Sequence, residues 1–225
     1  MAGFKAVKSL GGNINYQILP IATATAIEKG ELVGYTVGTG VVSASATDLD
    51  DPIIGVSLQE HDGASANETG LTLKVASSPN LVLGLRSTHA LAVTGGSTTT
   101  CVISTLLPQT DNLWIGSYIE VVTCASGIPK GTMIPVTDST GTTGSLTIPT
   151  QASAFANGDT VILHAGKLAI GEYGWDTTTG GTDIDFDTSG GEGLRLYDAD
   201  PENKMMYFMV RLHTFGNDMI ALPIS

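Results

Sequence analysis

Short runs of β-forming residues, each closed by glycine, proline, asparagine or aspartate, recur along the chain, and this spacing most restricts the fold. Between residues 31 and 85, the runs predict strands over 31–37, 40–44, 53–58, 69–75 and 80–85. Helical periodicity is scarce, and its best candidate, 22–28, lacks a full amphipathic pattern. Strands at this spacing are typical of sandwiches and barrels.

A second series of strands occupies residues 92–165, where charge is sparse. Its runs predict strands over 98–105, 117–123, 132–136, 145–148 and 160–163. The charged residues of this segment are Asp111, Glu120, Lys130, Asp138 and Asp159. Five strands in so short a segment make a complete small barrel-like unit.

After residue 165 the sequence again resembles that of residues 31–85, with short strand-forming runs separated by turn residues. Strands are predicted over 168–171, 184–186, 193–197 and 205–212, and the nearly continuous apolar run 205–210 is typical of a strand buried on both faces. The expected fold is all-β. A sandwich or barrel-like outer domain comes from residues 1–91 and 166–225, and residues 92–165 form an inserted small β-barrel.

The low content of charged residues and the net negative charge of the chain limit the kinds of molecule that it can bind. Only 14% of the 225 residues are charged, against about 25% in average soluble chains, which favours a surface partly covered by partners. A net charge of −12 disfavours nucleic acid, which needs clustered lysine and arginine. Lys5 and Lys8 precede every acidic residue. Residues 1–20 are therefore expected to form an extended arm that docks on an acidic neighbour, or else a solvated, frayed terminus.

The sequence offers no membrane segment and no catalytic motif. No apolar run reaches the ~18 residues of a membrane helix, and no secretory signal is present. The glycine-rich stretch 95–100 lacks the lysine of a phosphate-binding loop, and no Gly-x-Ser-x-Gly elbow occurs. Cys101 and Cys124 are interpreted as small buried apolar residues, with a disulfide as the alternative. No enzyme activity and no cofactor are expected. The four histidines are isolated: His61, His89, His164 and His213.

One acidic strand is the only candidate metal site. Asp183, Asp185 and Asp187 alternate along a predicted strand, so their carboxylates share one face. Such a face is either solvent-exposed or bridged by a cation such as Ca²⁺. Thr188 and Leu194 stand where an EF-hand loop needs glycine and glutamate, so the solvent-facing strand is the preferred interpretation.

Several segments resemble proteins of tailed-bacteriophage heads. Residues 26–33 and 51–58 resemble capsid decoration (cement) or auxiliary head proteins, with a turn, a strand and then the Ile-Gly-Val strand 54–56. Residues 96–100, 116–127, 138–147 and 157–162 resemble a small β module that recurs in phage virion proteins.

The resemblance implies a structural virion protein that binds the outside of the head and bridges and stabilises major capsid subunits. It would be made in the host bacterial cytoplasm and reside on the capsid exterior. Its partners would be the major capsid protein and other copies of itself, a trimer by analogy, with no nucleic acid and no membrane. The expected capsid contacts lie in the N-terminal arm: Phe4, Lys5, Val7 and Lys8.

Two alternatives remain open. A receptor- or glycan-binding virion module, of a head fibre or tail, would expose Trp114 or Tyr118 beside polar residues. A virion-bound glycan hydrolase would need two facing carboxylates, for example among Asp183, Asp185 and Glu192.

Overall fold

The computed structural model describes residues 3–10, 13–22, 25–36, 40–43, 53–63, 72–77, 81–106, 110–170, 175–177, 184–186 and 194–210. These residues form nineteen strands and two short 3₁₀ turns, with no α-helix among them. All strands pair antiparallel within four sheets. The prediction of an all-β fold is confirmed.

The strands follow one another at the short spacing that the turn residues indicate. The first seven are β1 (Lys5–Ser9), β2 (Asn15–Pro20), β3 (Leu32–Thr36), β4 (Gly40–Ser43), β5 (Ile53–Ser57), β6 (Thr72–Ser77) and β7 (Leu81–Leu85). The next eight are β8 (Leu91–Ala92), β9 (Gly95–Gly96), β10 (Thr100–Val102), β11 (Tyr118–Thr123), β12 (Met133–Pro135), β13 (Asp138–Thr140), β14 (Ser145–Thr147) and β15 (Thr160–His164). The last four are β16 (Trp175–Thr177), β17 (Ile184–Phe186), β18 (Leu194–Asp200) and β19 (Met205–Val210).

Both ends of the chain build one six-stranded sheet, in the order β1-β7-β19-β18-β16-β17. The apolar run that predicted a buried strand forms β19, which lies between β7 and β18. Met206 and Phe208 are fully buried there. Met205, Tyr207 and Met209, on the opposite face, are half-buried, so side chains on both faces of the strand are at least partly covered, which accounts for its almost continuous apolar sequence.

Residues 91–164 supply two four-stranded sheets, β13-β14-β10-β9 and β12-β11-β15-β8. Their inward side chains, such as Cys101, Ile119, Leu146 and Val161, are fully buried. They belong to the same hydrophobic cluster as Leu83 of the six-stranded sheet. The boundaries of the inserted domain and its closure into a barrel stay predictions.

The remaining sheet has five strands in the order β2-β6-β5-β3-β4. It curls, because Ile21, just after β2, makes a parallel bridge to Val41 in β4. Its inward side chains form a second, smaller cluster, which includes Leu19, Leu73 and Val75.

The extended arm is corrected. Residues 5–9 and 15–20 form β1 and β2, which are edge strands of two different sheets. The backbone N–H of Phe4 donates to the carbonyl of Gly30 at 2.8 Å, and its ring lies edge-on to Phe208 with centroids 6.4 Å apart. The partner strand β7 lies far along the chain, so no local pattern in residues 1–20 could display the pairing.

A second correction concerns residues 168–171, expected as a strand. Lys167–Ala169 form a 3₁₀ turn instead. The N–H of Ala169 donates to Gly166 and that of Ile170 to Lys167, each at 3.2 Å. Burial of Ala169 fixes the turn. The weak helical candidate 22–28 contains no helix in its described part, where Ile27 bridges His61.

Candidate docking surface

Exposed apolar side chains are concentrated near the N-terminus. Six large hydrophobic side chains are exposed in the part of the chain that the structure describes, and four of them fall between residues 7 and 18. The six are Val7, Leu10, Tyr16, Ile18, Leu168 and Ile170. Together with two exposed lysines, the four define what we call the N-terminal edge surface: Lys5, Val7, Lys8, Leu10, Tyr16 and Ile18.

The first half of this surface is the edge strand β1. Its register with β7 shifts between Ala6 and Lys8, so Val7 forms a bulge. A Val7 methyl lies 2.9 Å from where a Cβ would stand on Gly84, so a side chain at this position would displace Val7. The ammonium of Lys8 lies 4.8 Å from the centre of the Tyr197 ring. These contacts fix the strand while its outer edge stays exposed.

The second half is the edge strand β2. Tyr16 is 58% exposed and Ile18 is 71% exposed, and both point to the same face because they are two residues apart. Ile18 lies opposite Lys74 of β6, and the ammonium of Lys74 lies 5.2 Å from the centre of the Tyr16 ring. An apolar strip with a flanking cation therefore lines this edge.

The electrostatics of the surface differ from those of the whole chain. The chain carries a net charge of −12, yet no acidic residue precedes Glu28. Lys5 and Lys8 thus stand on a segment of the sequence that carries no acidic residue, within an acidic protein. Such a segment attracts an acidic partner surface, and its apolar side chains add contact area.

The predicted capsid contacts divide into two groups. Lys5, Val7 and Lys8 are exposed on β1. Phe4 is only 2% exposed and belongs to the core, so its assignment as a surface contact is corrected. Leu10, Tyr16 and Ile18 were not among the predicted contacts. The alternation of Tyr16, Gln17 and Ile18 indicates a strand, but it would place the two apolar side chains in the core, whereas both are exposed.

Of the two aromatic residues of which a glycan site would expose at least one, Trp114 is buried and Tyr118 is half-buried. Trp114 is 2% exposed, and its backbone N–H donates to Ser139 Oγ at 3.1 Å. Tyr118 is half-buried in β11. The tight turn before β11 folds the indole into the core, which corrects the prediction of an exposed Trp114.

The acidic strand is only partly covered by the structure. Asp185 lies in β17 opposite Asp176 of β16. Asp183, Asp187 and Glu192 lie outside the described residues. Within the described ranges, no group of three or more His, Cys, Asp or Glu side chains is arranged to hold a metal ion.

A polar cluster joins the middle of the chain to the six-stranded sheet. Glu120 lies 3.0 Å from His164 Nε2 through Oε2 and 2.7 Å from Lys204 Nζ through Oε1. Burial alone would raise the pKa of Glu120, but the hydrogen bonds and charges of Lys204 and His164 outweigh it and lower the pKa. His164 is fully buried, and the cluster links elements from distant parts of the chain.

Burial also sets the pKa of His164 and leaves one ring atom without a partner. Burial lowers the pKa of His164, and the charges of Lys204 and Arg86 act in the same direction, against the attraction of Glu120. The Nδ1 atom of His164 is buried and has no hydrogen-bond partner among the described residues.

Both cysteines are free thiols. Cys101 is fully buried in β10, as its interpretation as a small apolar residue predicted. Burial, followed by the nearby Asp159 and Cys124, raises the pKa of Cys101 to about 12. The Cys124 thiol is half-buried and lies 3.2 Å from Ser126 Oγ. The sulfur of Cys101 therefore serves packing.

Comparisons with protein-family models, with curated proteins and with solved structures found no match to this chain. No helix in the described part of the chain is long and apolar enough to cross a membrane.

Proposed function

We propose that this protein is a structural virion protein of a tailed bacteriophage, a decoration or cement protein. It binds the exterior of the head through β1 and bridges and stabilises major capsid subunits. The observation that carries the proposal is the concentration of exposed apolar and cationic side chains on the N-terminal edge surface of an otherwise acidic chain. The resemblance of residues 26–33 and 51–58 to decoration proteins supplies the class of partner.

The chemistry of β1 fits side-chain docking. The bulge and the two lysines of β1 oppose strand-to-strand pairing. The side chains of β1, and not its backbone, would therefore contact the shell. Val7 and Leu10, each 48% exposed, would enter apolar depressions of the shell. Lys5 and Lys8 would pair with carboxylates around them. Binding to the assembled shell and not to its separated subunits stabilises the shell by mass action.

The test is a shell-binding assay with the full chain and undecorated heads. Val7→Asp places a charge in the proposed apolar contact, and Lys8→Glu reverses the proposed pairing. Each is expected to raise the Kd for shells about tenfold or more, the equivalent of about 1.4 kcal/mol. Leu168→Asp is the matched control, because Leu168 is 59% exposed on a different element and should leave the Kd unchanged.

Unchanged shell binding by both β1 variants would refute docking through β1. Absence of binding by the unsubstituted protein would refute the capsid function itself. Deletion of residues 1–9 is a poorer test, because it removes Phe4 from the core and β1 from its sheet. Point substitutions at exposed positions avoid that loss of stability.

A further inference from the structure

A single asparagine–glycine pair lies in the turn that precedes β15. Asn157 is the only asparagine of the chain that is followed by glycine, and its side chain is exposed. Asparagine is a thermolabile residue, and it loses its amide most readily before glycine. The reason is that glycine has no Cβ to keep its backbone nitrogen away from the side-chain amide. The sequence of this turn is therefore intrinsically reactive.

The conformation of the turn holds the reacting atoms apart. The N–H of Asp159 donates to the carbonyl of Ala156 at 3.2 Å, which closes a β-turn whose two central residues are Asn157 and Gly158. Gly158 has a φ of 94° and Asn157 has no positive φ, and this combination defines a type II turn. The first central residue of such a turn has a ψ of about +120°. This torsion turns the Gly158 nitrogen away from the Asn157 side chain.

Three further hydrogen bonds hold the turn closed. The N–H of Gly158, whose nitrogen is the atom that would react, donates to the carbonyl of Val93 at 3.0 Å. The N–H of Val93 donates in return to the carbonyl of Asp159 at 2.9 Å. The buried carboxylate of Asp159 accepts from the N–H of Ala156 at 2.9 Å. A reaction between Gly158 and the preceding side chain therefore requires the turn to open locally.

We propose that Asn157 is a deamidation site that the native turn keeps inactive, so that the reaction proceeds only from the open turn. In the open turn, the Gly158 nitrogen loses its proton and forms a bond to Cγ of Asn157. The bond from Cγ to Nδ2 breaks, and Nδ2 leaves as ammonia with that proton. Water then opens the five-membered succinimide at one of its two carbonyl carbons, which yields aspartate or isoaspartate. The inference goes beyond the capsid role and does not depend on it.

The isoaspartate product cannot restore the native turn. It forms when water adds to the main-chain carbonyl carbon of the succinimide, and the chain then continues through the former side-chain carbon and gains one atom. The hydrogen bonds to Val93 and Ala156 no longer fit this longer path. Because hydrolysis does not return the amide, the step is irreversible, and it weakens the pairing of β8 with β15 beside the turn.

Peptide mapping of the full chain, incubated at mildly alkaline pH with and without urea, tests the proposal. In urea, Asn157 should lose its amide faster than Asn112 and Asn203, which precede leucine and lysine. In the folded chain, the rate at Asn157 should be at least about tenfold lower than in urea, the equivalent of an opening free energy of about 1.4 kcal/mol. Equal rates at Asn157 in the two states, or no lead of Asn157 in urea, would overturn the proposal.

Hydrogen exchange of the Gly158 amide gives an independent measure of the opening in the unsubstituted chain. Exchange of this N–H requires its bond to Val93 to break. The slowing of deamidation at Asn157 should therefore be at least as large as the protection of the Gly158 amide. A smaller slowing would mean that the closed turn reacts, which contradicts the proposal.

A matched pair of variants tests whether the hydrogen bonds of the turn suppress the reaction. Asp159→Asn replaces one carboxylate oxygen by a group that cannot accept, so one of two bonds to backbone N–H groups is lost. Deamidation at Asn157 in the folded variant should accelerate about tenfold. Asp138→Asn, at an exposed position of β13, should leave the rate unchanged. An unchanged rate in folded Asp159→Asn, or equal acceleration by both variants, would overturn the role of the turn.

Asn157→Asp separates the added charge from the lengthened main chain. This variant keeps the normal chain path, so the midpoint of its urea unfolding should stay close to that of the unsubstituted chain. Chains that contain isoaspartate, isolated after incubation, should unfold at a lower urea concentration than Asn157→Asp. Equal midpoints for the isoaspartate chains and Asn157→Asp would refute the claim that the turn cannot close again.

Discussion

Asp159 is the clearest case of one buried polar side chain organising its surroundings. It is 2% exposed, and its carboxylate accepts from the N–H of Ala125 at 2.7 Å and from that of Ala156 at 2.9 Å. Burial opposes ionisation of Asp159, but these bonds and one from the Cys124 thiol outweigh it and lower its pKa. The carboxylate thus ties the loop after β11 to the turn before β15.

Asp159→Ala is expected to lower the free energy of unfolding by about 2–4 kcal/mol, because it leaves two amides that bonded to a charged group without an acceptor. Urea unfolding at neutral pH measures the change. Asp138→Ala is the control. Asp138 is exposed, and among the described residues its carboxylate accepts a hydrogen bond only from the adjacent Ser139 N–H, so its loss should cost less than about 1 kcal/mol. Equal losses for the two variants would contradict this role of Asp159.

Whether a single residue is buried or exposed could be predicted from the sequence only where the residue type alone determines it. Cys101 was expected to be buried, because a cysteine in an apolar strand packs as a small hydrophobe. Trp114 was expected at the surface because its role was argued from ring chemistry. The turn that buries Trp114 depends on Ser139, 25 positions away, which no local pattern reveals.

At the scale of elements, the hairpin turn between β18 and β19 is fastened to β11 and β15. Lys204, in the left-handed conformation with φ of 59°, brings its ammonium to Glu120, which also contacts His164. Three elements from distant parts of the chain therefore meet at one carboxylate.

This cluster predicts a loss of stability in weak acid. The pKa of an unfolded histidine is about 6.5, and the pKa of His164 is lowered in the fold. The unfolded chain therefore takes up this proton first. The stabilisation that comes from keeping His164 neutral is fully present above about pH 6.5. Below that pH, the free energy of unfolding falls by at most about 1.4 kcal/mol per pH unit. Glu120, whose pKa is also lowered, adds a further loss at lower pH, as it nears its unfolded value of about 4.3.

Urea unfolding at pH 7.5 and pH 5.5 checks the expectation. His164→Gln retains a side-chain donor toward Glu120 but does not titrate, so its stability should change less between these pH values. An identical pH dependence for the variant and the unsubstituted chain would exclude His164 as the source.

Strands could be predicted from the sequence where the pattern of apolar residues lies within the strand itself. The alternation that predicted a strand over 117–123 matches β11 to within one residue. The apolar run 205–212 matches β19 as far as the described residues extend. β1 and β2 were missed because glycines and polar residues surround them, and because their sheet partners lie far along the chain.

At the scale of the whole molecule, the hydrophobic core crosses the predicted domain boundary. Leu83 and Leu85 of the six-stranded sheet belong to one cluster with Ile103 and Leu163 from the middle of the chain. β8 strengthens this connection, because it follows β7 closely and pairs with β15. Removal of residues 92–165 would therefore expose apolar surface on what remains.

A shared core predicts cooperative unfolding. Calorimetry of the full chain should give one transition, with a calorimetric enthalpy equal to the van't Hoff enthalpy. Two resolved transitions would mean that residues 92–165 unfold independently, in which case the contacts across the boundary contribute little. Monitoring Cys101 with a thiol reagent gives a second probe, and its exposure should coincide with the same transition.

The place of β19 in the six-stranded sheet has a consequence during synthesis. The ribosome completes β7 long before it completes β19, yet β19 is the strand that covers one edge of β7. All five residues of β7 are buried in the finished protein, so a nascent or prematurely ended chain presents a bare apolar edge that invites aggregation. Translation must therefore pass through β19 before this edge of β7 is covered.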